Sequence, residues 1–74
     1  MQLHRPMEAK RLLTIVRTVE QIASVKHALQ AVEDLKFISG LYPSNIQVKI
    51  RLMKTKERLT YMRQKERRLQ LLNN

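Results

Sequence analysis

Across residues 6–39 apolar side chains recur at helical spacing, with Leu12, Ile15, Val16, Val19, Ile22, Ala23 and Leu29 on one face. Beyond Lys26 the stripe rotates toward Val25, Ala28, Val32 and Leu35. Such drift is what a repeat nearer 3.5 than 3.6 residues produces on a straight helix. Residues 46–52 are ambiguous at first. Ile46, Val48, Ile50 and Leu52 alternate with Gln47, Lys49 and Arg51, the period of a half-buried strand. Two features decide for a helix. Ser44 with Gln47 three residues later matches a capping box, and no other stretch alternates to supply a strand partner.

Read as a helix, the second half gains a heptad seam. Val48, Leu52, Thr55, Leu59, Met62, Glu66 and Leu69 follow at intervals of four and three, with Thr55 and Glu66 as polar lapses. The lone glycine, Gly40, and Pro43 fall together in G-L-Y-P-S-N, and no other breaker lies between Met7 and Asn73. Pro6 suits a first helical turn, and Gly40 suits a left-handed residue that closes a helix. The pattern therefore predicts an all-α fold: one helix over about 6–39, a turn at 40–44 and a second helix over about 45–72. Two such helices joined by so short a turn run antiparallel as a single hairpin domain.

A hairpin buries one face of each helix, and this sequence has apolar residues to spare. Leu13, Leu35 and Ile38 lie off the first stripe, and Ile50 and Met53 lie off the heptad seam. They are the candidate partner-facing residues, since an unburied patch of that size marks an interaction surface. Leu12, Ile15, Val19, Ile22, Leu52, Leu59 and Met62 are the residues expected to hold the hairpin together.

Charge narrows the partner. The net charge is +9, from 15 Lys and Arg against six acidic residues. Residues 1–39 hold six basic and four acidic residues, whereas residues 44–74 hold nine and two. Lys49, Lys56 and Arg63 flank the seam on one side, and Arg51, Arg58 and Lys65 flank it on the other. Like-charged flanks disfavour self-pairing of the second helix, leaving the first helix for any self-association. Arg51, Arg58 and Lys65 would form a charged rim around the apolar patch and meet an acidic partner face. The alternative is a phosphate backbone, contacted by Lys49, Lys56, Arg58, Arg63, Lys65, Arg67 and Arg68. With only Phe37, Tyr42 and Tyr61 as aromatics, base stacking on single strands is a poor fit.

Other chemistries lack parts. There is no cysteine, and His4 and His27 have no carboxylate at ligand spacing, so neither a metal nor any other cofactor is expected. No glycine-rich phosphate loop or nucleophile–base set suggests an enzyme. No apolar run reaches the length of a membrane span.

The stretches V-R-T-V-E-Q-I at 16–22 and G-L-Y-P-S-N-I-Q-V at 40–48 resemble the small helical-hairpin co-chaperones of type III secretion needle subunits. The matching positions are Val16, Thr18, Val19, Ile22, Gly40, Gln47 and Val48. The resemblance implies a hairpin that docks on a larger helical protein in the bacterial cytoplasm. There the pair would keep a self-assembling needle subunit soluble.

Overall fold

The computed structural model describes residues 6–73, which are helical with short connections. Helix α1 spans Pro6–Ile15, α2 spans Val25–Leu41 and α3 spans Ile46–Asn73, with a 3-10 turn at Val19–Gln21 between the first two. His4 lies outside the described residues. The all-α class stands, but the two-helix hairpin is corrected to three helices: the segment expected as one helix over 6–39 is broken at 16–24.

The break has local causes that helical periodicity does not register. Thr14, Ile15, Val16, Thr18 and Val19 are all β-branched, which weakens a helix at that point. Thr18 then caps the 3-10 turn: its Oγ1 accepts from the Gln21 N–H at 3.3 Å, and its own N–H donates to Gln21 Oε1 at 3.0 Å. Three residues later Ser24 caps α2, its Oγ accepting from the His27 N–H at 3.1 Å. Two helix starts within seven residues leave no room for a continuous helix. The break also re-aims side chains. Val16 and Ile22 turn inward and are buried, while Ile15, expected in the core, is 76% exposed.

Two further local expectations are corrected. Gly40 does not close α2 in a left-handed conformation, because no described residue has positive φ and the helix continues through Leu41. The start of α3 is capped by Asn45 rather than Ser44: Asn45 Oδ1 accepts from the Val48 N–H at 3.1 Å. The connection is thus 42–45, and the end of α2 is closed by the Tyr42 N–H donating to the Ile38 carbonyl at 2.9 Å.

α2 and α3 form an antiparallel pair whose core holds Ala28, Ala31, Val32, Leu35 and Ile38 from α2 and Val48, Leu59 and Met62 from α3. Leu52 packs against this core while half-buried. The heptad seam is therefore real as far as Met62. Thr55, its first polar lapse, is fully buried and resolves its hydroxyl within the helix by donating to the Arg51 carbonyl at 2.7 Å. At Glu66, the second lapse, the pairing ends: Glu66 Oε1 accepts from the Val25 N–H at 3.5 Å, at the start of α2. A carboxylate there complements the positive end of the helix dipole.

α1 closes the core from one side through Ala9, and Val16, just after its end, joins it there. It begins beside the 42–45 connection, where the Tyr42 hydroxyl donates to Glu8 Oε2 at 3.3 Å. The whole measures 57 × 17 × 14 Å along its principal axes. Its radius of gyration is 14.5 Å, against about 11 Å for a compact chain of this length. That elongation leaves much of α3 in contact with water.

Candidate functional site

Burial divides the eight candidate partner-facing residues into separate groups. Leu35, with no exposed surface, and Ile38 sit in the core between α2 and α3 and have no face toward solvent. Leu13 is half-buried, and Ile50 and Met53 are 44% and 54% exposed. Lys65 is exposed further along α3.

Arg51 and Arg58 have a role that charge counting did not suggest. Arg51 donates from Nη1 to the Leu13 carbonyl at 2.8 Å and from Nη2 to the Val16 carbonyl at 2.6 Å. Arg58 donates from Nη2 to the Ile22 carbonyl at 3.0 Å. These carbonyls belong to the end of α1 and to the segment after it, where a broken helix leaves acceptors without ladder partners. A planar guanidinium with several donors can serve two carbonyls at once, which an ammonium on a flexible stem cannot do in the same geometry. The two arginines thus clamp the first segment onto α3. Arg58 also lies over the Tyr61 ring, 5.1 Å from its centroid. Its Nε is the one buried side-chain nitrogen or oxygen among the described residues without a hydrogen-bond partner.

The clamp leaves a groove between the first segment and α3, with a volume of about 840 Å³. Leu13 and Val19 form one wall, Ile50 the other, and Arg51, Lys54 and Arg58 contribute positive charge. Glu20 and Glu57 also line it, against those three cations, and Thr18 and Gln47 complete the lining. Four of the candidate residues, Leu13, Ile50, Arg51 and Arg58, therefore meet in one place, although Leu13 is far from the other three in sequence. Val19, placed in the core by its spacing, turns out to line the groove, and Lys54 was not singled out at all. Beside the groove, Ile46 (69% exposed), Ile50 and Met53 extend the apolar surface along the outside of α3.

The candidate phosphate-binding residues separate along similar lines. Lys49, Lys56, Arg63, Lys65, Arg67 and Arg68 are exposed, whereas Arg58 is half-buried and committed to Ile22. Among the described residues no group of three or more His, Cys, Asp or Glu side chains could hold a metal ion. No described helix is long and apolar enough to cross a membrane. Compared with protein-family models, curated proteins and solved structures, the chain matches none of them.

Proposed function

We propose that this domain is a non-enzymatic helical interaction module that receives an amphipathic helix of another protein in the groove between its first segment and α3. The carrying observation is the convergence there of Leu13, Val19 and Ile50 with three cationic side chains, in a small all-helical domain. Apolar walls contribute affinity through burial, and the lining, with three cations against the two carboxylates of Glu20 and Glu57, carries a net positive charge that favours a helix with Glu or Asp beside its apolar stripe. A second copy of the chain is a weaker candidate, because two bodies of charge +9 would be brought together.

A narrower form of this reading is a co-chaperone for a type III secretion needle subunit. Its support is the resemblance at 16–22 and 40–48. Most residues carrying that resemblance belong to the scaffold here: Val16, Ile22 and Val48 are core and Thr18 is a cap. Thr18, Val19 and Gln47 belong to both the resemblance and the lining of the groove.

The test uses two synthetic helical peptides with the same leucine stripe, one flanked by Glu and one by Lys, titrated against the full chain by fluorescence anisotropy. Binding of the Glu-flanked peptide, lost in Ile50→Glu while helical circular dichroism is retained, is the expected result. Equal binding of both peptides, or binding indifferent to Ile50→Glu, would rule out the groove.

A further inference from the structure

Once Arg51 and Arg58 are assigned to carbonyls of the first segment, seven basic residues of α3 remain exposed: Lys49, Lys54, Lys56, Arg63, Lys65, Arg67 and Arg68. Four of them form a line. At 3.6 residues per turn, Lys49, Lys56, Arg63 and Arg67 fall within about 40° of one another around the helix and span roughly 27 Å of its length. The line lies on the flank of α3 opposite the groove, away from the first segment that Arg51 and Arg58 hold. One carboxylate borders it, Glu57, which lines a depression together with Lys49 and Lys56. Thr60 and Gln70 are the polar residues along it, and Glu66 is turned to the start of α2.

Helix stability does not account for this row. Lys49 stands in the first turn of α3, where the dipole disfavours a cation and no acidic residue offsets it. Arg63 and Arg67 form a like-charge pair one turn apart, which is itself unfavourable. A helix that retains such charges gains from an anion laid along it. We infer that this flank of α3 is a second binding surface, independent of the groove, that takes the phosphate backbone of duplex nucleic acid.

The chemistry favours a duplex over other polyanions. A stretch of about 27 Å along a double helix carries roughly 16 phosphate charges, so a straight, rigid row of cations meets a regular anion array. Lys49 and Lys56, both exposed, line a shallow depression with Leu52, Met53, Glu57 and Thr60. No aromatic residue lies on the row, which removes the stacking platform that single strands use. Contacts of this kind are to backbone alone, and they bind without sequence preference.

The experiment measures anisotropy of a labelled mixed-sequence duplex against the full chain over a series of salt concentrations. Three proteins are compared: the parent, the row variant Lys49→Ala/Lys56→Ala/Arg63→Ala, and a control variant Lys10→Ala/Arg11→Ala/Arg17→Ala. All six substituted residues are exposed, and both variants lower the net charge by the same three units. The row variant is expected to lose about tenfold or more in affinity near 100 mM salt, and its log–log salt slope should flatten by roughly 2.7. The control variant should stay close to the parent. Equal losses in both variants would reduce the effect to net charge and overturn the assignment. So would undetectable binding by the parent. Equal competition by polyglutamate, or equal binding to vesicles rich in phosphatidylserine, would overturn the duplex in favour of an acidic protein or a membrane surface. Because Ile50 lies outside the row, loss of peptide binding in Ile50→Glu with duplex binding intact would separate the two surfaces.

Discussion

Arg51 shows how far a residue's role can depart from its charge. In the sequence it is one of nine basic residues after the turn; in the structure its two terminal nitrogens hold two carbonyls more than 30 positions upstream. Truncation to Ala leaves both half-buried acceptors without that donor, at an expected loss on the order of 2 kcal/mol. Lys at this position should recover little of the loss, because one ammonium cannot reproduce the fork. Urea denaturation of Arg51→Ala and Arg51→Lys, followed by circular dichroism, checks both statements. Two variants as stable as the parent would reduce the clamp to a surface contact. Thr55 teaches a complementary lesson, since a polar residue in an apolar seam is satisfied by its own helix.

Among the elements, α2 offers a direct test of its own C-terminus. Gly40 lies in the last turn with ordinary helical geometry, and a methyl group added there would meet no atom within 4 Å. Gly40→Ala should therefore stabilise the domain by about 0.5–1 kcal/mol through the lower entropy of the unfolded chain. Thermal unfolding of the variant would show this as a higher midpoint. A lower midpoint would restore the left-handed cap that the sequence suggested. The same element explains what could be read in advance. The α2–α3 pairing was legible because the seam from Val48 to Met62 and the stripe from Ala28 to Leu35 follow simple periodicities. The break at 16–24 was not, because it depends on Thr18 and Ser24 acting as caps and on arginines arriving from α3. Both caps are common residue types that also occur inside helices, and a donor 35 residues away leaves no periodic trace. The groove was only partly legible for that reason: Leu13 and Ile50 stood out as surplus, but their meeting with Val19 and Lys54 follows from the break. Leu35 and Ile38 looked equally surplus because one helix was expected over 6–39; with α2 starting afresh at Val25, both belong to its core-facing side.

For the molecule as a whole, the link between layers is chemical at one end as well as apolar along its length. Tyr42 is held among core residues, and burial together with the neighbouring Glu8 carboxylate raises its phenol above the ordinary value. The folded protein then keeps this proton at pH values where the unfolded chain has released it. Its stabilising effect is complete below about pH 10 and is lost as pH rises through the higher folded value. Melting temperatures of the parent between pH 8 and 11 should fall more steeply at the alkaline end than those of Tyr42→Phe. Parallel curves for the two proteins would show that the phenol does not titrate differently on folding.

The clamp has a further consequence for the order of events on the ribosome. α1 is synthesised first, yet the donors for its terminal carbonyls lie 38 and 35 residues later in the chain. At ordinary elongation rates those carbonyls are made roughly 2–8 s before Arg51 exists. Until then the carbonyls of the first segment have only water to satisfy them, and its apolar residues have no α2–α3 pair to cover them. Docking of α1 therefore has to follow formation of the later pair, so the first of the three helices to be made is the last to find its place.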